Sequence, residues 1–231
     1  FLAKLRNGPK GVAAGTSNRY LSSMKSFCNW LVRHGSLDKS PLIHLHAINE
    51  WVDKRHPRRA LTAEEINRLL VSTENAPFHH RLTGPERALL YLLAMETGLR
   101  WSELHSLRKN NFNFATTPAT VTVDAACSKH RREDVLPVRS KTAKRLRKYL
   151  EPKESEAPAF PLWRRRGAQM LQKDLEAAGI PYRTEKGYAD FHALRHSFLT
   201  ALANAGVHPK ITQMLARHSD LKLTLGLYTH T

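Results

Sequence analysis

The sequence predicts a mainly helical protein with one small antiparallel β-sheet, an α+β fold in two parts. Three observations carry this. Apolar residues recur at helical spacing through most of the 231 positions, one stretch between Ala119 and Val138 alternates instead, and a basic segment broken by proline divides the chain near residue 57. Residues 17–34 read as a helix, with Tyr20, Met24, Phe27 and Leu31 at helical spacing and Gly35 as the stop. Ser40-Pro41 opens a shorter helical segment, because proline is at ease in a first helical turn. The run KRHPRR then reads as a linker, giving a small helical domain over 1–57 and a larger one over 58–231. Thr62 and Glu65 form a capping box for the next helix, and another runs over 85–96 and ends at Gly98. Thr120 to Val123, then Val135 and Val138, read as a β-hairpin whose turn carries Ser128-Lys129-His130-Arg131-Arg132. Helices return over 141–149, 168–178, 191–205 and Pro209–Ala216.

Composition narrows the partner. A formal net charge of +17 points to a polyanion or an acidic membrane surface rather than to a small ligand. A merely well-solvated surface is the bland reading. The basic residues cluster, however, at Lys54, Arg55, Arg58 and Arg59, at Lys129, Arg131 and Arg132, at residues 141–148, and at Arg164, Arg165 and Arg166. No long basic amphipathic helix with an aromatic face is present, so nucleic acid is favoured over a membrane. The two cysteines, Cys28 and Cys127, lie far apart and read as ordinary small apolar side chains, which fits a reducing compartment.

Three stretches concentrate residues suited to chemistry on a phosphate: Thr97-Gly98-Leu99-Arg100-Trp101-Ser102-Glu103-Leu104, His192-Ala193-Leu194-Arg195-His196, and Arg217-His218-Ser219 followed by Tyr228-Thr229-His230. A phosphodiester gains charge on its non-bridging oxygens as it reacts. Guanidinium groups neutralise that charge through paired donors and stay protonated, so Arg100 and Arg195 suit the task, with His218 as a third donor. Any one arginine in so basic a chain is more often a surface contact. Arg100, though, follows a helix-ending glycine inside an apolar stretch.

TGLRWSEL, HALRH and RHS with the YTH ending resemble, in order, the signature boxes of the tyrosine recombinases, the phage-integrase family. Lys129, followed by Arg132 and the strand VLPV, resembles that family's catalytic lysine on a β-hairpin. The match runs from about Arg59 to the end, and more weakly over the helices before it. The resemblance implies a catalytic domain preceded by part of a helical core-binding domain. It implies a site-specific recombinase in which Tyr228 attacks a phosphodiester, leaving a 3′-phosphotyrosine and a free 5′-hydroxyl.

Tyr228 has an ordinary pKa of about 10 and needs a base and cationic surroundings to react at neutral pH. His192 lies three residues before Arg195 on the same helical face and can accept the tyrosine proton or orient the phosphate. Lys129, a cation at neutral pH, is placed to protonate the leaving oxygen, its rival role being a plain phosphate contact beside Arg131 and Arg132. Arg58, Arg59, Arg131, Arg132 and Arg217 are expected to touch DNA. Arg217 stands where the family usually has glycine, and Tyr228 follows His218 by ten positions, one more than the commonest family spacing.

His192 and His196 also have the spacing of two zinc ligands on a helix, but Ala193 replaces the expected Glu and no third ligand follows. No metal and no cofactor are expected, and His196 reads as a structural histidine. The expected partner is double-stranded DNA, bound as a homotetramer on two duplexes, with a monomer in the absence of DNA and no membrane; the expected location is the cytoplasm, at the nucleoid, with a bacterial, phage or mobile-element origin. Competing readings are a type IB topoisomerase, a silent DNA-binding regulator on the same scaffold, and a metal-dependent nuclease. The chain starts at Phe1, and the resemblance implies further helices before it and a docking helix beyond Thr231.

Overall fold

The computed structural model describes residues 2–8, 11–53, 55–128 and 131–228, the last two as backbone only. They group into two units, Phe1–Pro57 and Arg58–Thr231.

In the first unit α1 (Leu2–Asn7) packs on the long α2 (Ala14–Arg33). The inward positions of α2 are Ala14, Ser17, Leu21 and Cys28, whereas Tyr20, Met24 and Phe27, the apolar residues that marked the helix, are about half exposed. Asn18 ties α2 to the following segment, donating to the Ile48 carbonyl (2.8 Å) and accepting from the Ile48 amide (3.0 Å). The helix expected to open at Ser40-Pro41 is a succession of turns, followed by a single 3-10 turn over Glu50–Asp53. Pro41 does supply a suitable start, but none of 41–46 is buried, so nothing anchors a helical face there.

The second unit is built around α4 (Gly84–Thr97), whose Leu89, Leu90, Tyr91, Leu93 and Ala94 are all at most 4% exposed. A helix apolar on nearly every side must lie in the centre, and α4 is covered by α3 (Ala63–Glu74), α6 (Ser140–Leu150) and α8 (Phe191–Asn204). Both starts are reciprocal capping boxes. Thr62 Oγ1 accepts from the Glu65 amide (3.2 Å) while Glu65 accepts from the Thr62 amide (3.0 Å), and Glu86 does the same for Thr83 (2.6 Å). The helix α7 (Gly167–Ala177) packs on α3 and α8.

The sheet has the order β1 (Phe112–Asn113), β2 (Ala119–Val123), β3 (Asp134–Val138), antiparallel, with Val121 opposite Leu136. Its inward face is Val121, Val123, Leu136 and Val138 with Asp134 at the edge; Val135, read as a strand residue of the alternation, points to solvent. A second two-stranded ribbon, β4 (Arg183–Thr184) with β5 (Gly187–Tyr188), leads into α8. Helices α5 (Trp101–Ser106), α9 (Pro209–Ala216) and α10 (Lys222–Tyr228) complete the unit. Cys28 is buried as expected, but Cys127 is exposed, in the turn after β2, and is not a packed apolar residue. No helix among the described residues is long and apolar enough to cross a membrane.

Candidate active site

Gly98 ends α4 in the left-handed conformation (φ 62°), its amide closing on the Ala94 carbonyl at 2.9 Å. That reversal starts α5 two residues later with Arg100 at its N-cap. The Arg100 amide donates to Glu103 Oε2 (2.8 Å) and its guanidinium to Glu103 Oε1 (3.0 Å). Arg100 is therefore held by a carboxylate from its own helix, with a side chain one-fifth exposed.

Arg195 projects from α8, whose start is fixed by Asp190 accepting from the Ala193 amide at 3.1 Å. Its side chain is 3% exposed and donates to the Gly98 and Ala216 carbonyls, so one cation caps the C-terminal ends of both α4 and α9. The fork has five donors, enough to serve both carbonyls and an anion. Burial pushes the Arg195 guanidinium down to about 9, with Arg100 and Arg217 adding to the effect and Glu103 and Asp134 opposing it. At neutral pH it remains a cation.

Arg217 caps α9 in the left-handed region (φ 54°, ψ 42°), where a glycine would carry no strain. Its buried side chain donates to Glu103 Oε2 (2.9 Å) and faces Asp134 Oδ2 at 3.6 Å. Asp134 in turn accepts from Arg132 Nε (3.1 Å) and Ser128 Oγ (3.3 Å). A continuous chain of charges, Arg100–Glu103–Arg217–Asp134–Arg132, thus joins α5, the end of α9 and the hairpin. Burial alone would raise the Glu103 carboxyl, but hydrogen bonds from Arg217 and the Arg100 amide, with their charges, hold it below the ordinary carboxylate range.

His192 sits one helical turn before Arg195. Packed protein atoms on its inner side push it down to about 4, with the cations Arg58, Arg195 and Arg100 adding and Asp190 opposing. The residue as a whole remains exposed, and the lowering leaves the ring neutral at pH 7. His218 follows Arg217, its Nδ1 3.0 Å from Thr224 Oγ1 on α10. His196 is partly buried beside Thr200 on α8 (3.3 Å), and no group of three His, Cys, Asp or Glu that could hold a metal occurs among the described residues.

Of the residues the sequence singled out, Arg100, His192 and Arg195 lie within mutual electrostatic reach, and His218 is joined to them through Arg217 and the Ala216 carbonyl. Lys129 lies outside the described residues, and Tyr228 is described as backbone at the end of α10.

The arginines expected to touch DNA divide. Arg58 is exposed and paired with Asp190 at 2.8 Å, and Arg131 and Arg132 are exposed on the hairpin. Arg59 and Arg217 require correction. Arg59 is 7% exposed, clasped by Glu65 (2.7 Å) and the Pro181 carbonyl (2.8 Å). Arg217 is 2% exposed, between Glu103 and Asp134. Both are buried with a carboxylate partner, so the structure places them as internal struts and not as surface cations. Glu103 and Asp134 were not read from the sequence; a lone acid three residues after Arg100 was the available signal for the first.

Comparison with known proteins gives the same direction. The model of the phage integrase family matches residues 59–231. The tyrosine recombinase XerC of Mannheimia succiniciproducens is 28% identical over 216 residues, covering 91% of this chain and 68% of its own. That of Roseiflexus sp. is 29% identical over 239 residues, covering 100% and 72%. Among solved structures, the XerH site-specific recombinase bound to its difH substrate superposes with a TM-score of 0.74 at 18% identity, covering 99% of this chain and 66% of that one. The Tn1549 transposon integrase in complex with transposon right end DNA gives 0.74 at 19%, covering 96% and 77%. The chain belongs to the phage integrase family of tyrosine recombinases, enzymes that break and rejoin DNA at specific sites.

Proposed function

We propose that this chain cleaves one strand of duplex DNA by attack of the Tyr228 hydroxyl oxygen on a phosphorus atom. The P–O bond to the 5′-oxygen breaks as the P–O bond to tyrosine forms, leaving a 3′-phosphotyrosine. Arg100, Arg195 and His218 neutralise the non-bridging oxygens. His192, unprotonated at pH 7, has a free ring nitrogen with which to accept the tyrosine proton. Lys129 gives a proton to the departing 5′-oxygen. Attack by a 5′-hydroxyl from a partner strand then reverses the chemistry, and because the phosphodiester energy is kept in the tyrosyl ester, no nucleotide cofactor is consumed.

The observation that carries this reading is the convergence of Arg100, at the start of α5, with Arg195 and a neutral His192 on α8. A pair of fixed guanidiniums does for a phosphate what a metal ion does elsewhere. Arg58, Arg131 and Arg132 contact the DNA backbone, residues 1–57 act as a second, helical DNA-binding domain, and four copies act together on two duplexes. The setting is a bacterial cytoplasm, at the nucleoid.

The test is a nicked suicide duplex that traps the covalent intermediate. Tyr228→Phe is expected to bind DNA as before and to give no adduct. An adduct surviving that substitution would overturn the assignment of the nucleophile. Exchange of strands between two labelled duplexes, rather than relaxation of a supercoiled plasmid alone, tests recombinase against topoisomerase action.

A further inference from the structure

Ser128, in the turn between β2 and β3, is held by its amide, its carbonyl and its side chain. The amide donates to the Asp124 carbonyl (3.0 Å) and the carbonyl accepts from the Arg131 amide (3.1 Å). The buried hydroxyl donates to Asp134 Oδ2 (3.3 Å). Lys129 is the next residue in the chain. The two backbone bonds could be made by almost any residue. The third depends on one carboxylate, at the start of β3 and 8% exposed.

A carboxylate so nearly shut off from water needs a cation close by. Arg132 supplies one from the solvent side, Nε to Oδ1 at 3.1 Å, with its own side chain more than half exposed. Arg217 supplies the other from the interior, its Nη1 lying 3.6 Å from Oδ2, the oxygen that receives the Ser128 hydroxyl. Nη1 and Nε of Arg217 make no hydrogen bond among the described residues. Arg217 therefore acts on Asp134 through charge rather than through a fixed bond.

Arg217 stands where the family usually has glycine, and its backbone is left-handed (φ 54°), a conformation that glycine adopts without strain. In place of that ease, the arginine joins two carboxylates: Glu103, which holds Arg100, and Asp134, which holds Ser128. The end of α9 thereby sets the start of α5 and the hairpin turn in register with each other.

We propose that Asp134, drawn inward by Arg217, is a positioning residue for the departure of the 5′-oxygen, because it fixes Ser128, the residue to which Lys129 is bonded. The inference rests on the DNA-cleaving reading above, in which Lys129 protonates that oxygen. A proton donor works only within hydrogen-bond reach of the atom it serves, so a drift of about 1 Å slows this step. Charge neutralisation by Arg195, which is held by backbone carbonyls, stays in place.

The test changes the leaving atom. In a suicide duplex with sulfur at the scissile 5′-bridging position, the P–S bond breaks as the P–O bond to tyrosine forms, and the electron pair departs on a thiolate. A thiol has an ordinary pKa of about 8.5, far below that of an alcohol, so no proton need be delivered. Asp134→Asn keeps the shape and removes the charge. Its adduct formation is expected to fall about 10-fold or more on the ordinary duplex, and on the sulfur duplex to match that of the unaltered chain. Ser128→Ala spares the buried charges and is expected to show the same pattern to a smaller degree; it carries the test if the melting temperature shows Asp134→Asn to be unfolded. In a folded variant, equal loss on both duplexes or no loss on either overturns the inference, because a role in the fold or at the non-bridging oxygens slows both alike. Lys129→Ala on the same duplexes reports on the reading beneath. Recovery with sulfur for Lys129→Ala but not for Asp134→Asn removes the positioning role alone, whereas no recovery for Lys129→Ala removes the proton donor and the inference with it.

Discussion

Arg217 and Glu103, 114 positions apart in the sequence, meet in an ion pair of 2.9 Å in the interior of the larger unit. Glu103 is shared, since its other oxygen holds the guanidinium of Arg100. The residue expected to add a DNA contact instead supports, through one carboxylate, the arginine proposed to face the phosphate.

Arg217→Ala is expected to destabilise the fold by about 3–5 kcal/mol, because Glu103 loses a buried partner and the left-handed backbone strain remains. Arg217→Gly relieves that strain and should recover about 1 kcal/mol of the loss. Urea unfolding of the two variants side by side measures the difference. Equal stability, or Ala above Gly, would show that the left-handed conformation carries no strain.

Glu103→Gln keeps the shape and removes the charge. Arg100 and Arg217 then share a neutral acceptor, and Arg100 loses its anchor. Adduct formation on the suicide duplex is expected to fall by ~10²-fold or more, as for other losses of a group that fixes a charge stabiliser, with duplex affinity changed far less. A parallel fall in affinity and rate would mean that Glu103 only holds the fold.

The histidines give a pH prediction. Burial is the leading cause in lowering His79, His80 and His196 below the ordinary histidine value, and it lowers His192 to about 4. Between about pH 6.5 and 4 the unfolded chain therefore binds protons that the folded chain refuses, and stability falls as the pH drops. Calorimetry should give a lower melting temperature at pH 5 than at pH 7, and the His192 ring signals should titrate well below 6.5 in the DNA-free protein. A His192 midpoint at or above 6.5 would show that burial and the neighbouring cations do not lower it.

Adduct formation is expected to proceed unaltered in EDTA, since Arg100 and Arg195 supply the charge neutralisation. Loss of activity in EDTA, restored by a divalent ion, would return the metal-dependent reading.

Much of this arrangement was legible in the sequence. Thr62 with Glu65 marked one helix start, Gly98 and Pro209 marked an end and another start, and the alternation around Val121 and Val123 marked the sheet. What escaped has physical reasons. The helix α5 is six residues long, too short for a periodic pattern, and β4 and β5 are two residues each. Val135 satisfied the alternation but lay one position out of phase, because the inward residue of β3 is Leu136. Arg59 and Arg217 read as surface cations: Glu65, six positions from Arg59, was read only as a helix cap, and the partner of Arg217 is far away in sequence. Glu103 and Asp134 matter through partners 114 and 83 residues away, a separation that no local motif encodes.

Arg195 spans two helix ends, at Gly98 and Ala216, before any DNA arrives. On the proposed reading, the cradle for the phosphate is thus completed by folding itself, and an incoming strand would meet a charge already in place. In a protein that must select its own cutting point along a long polymer, a finished cradle shifts the decision elsewhere. On that reading, recognition depends on where the duplex is seated and on when the tyrosine is presented.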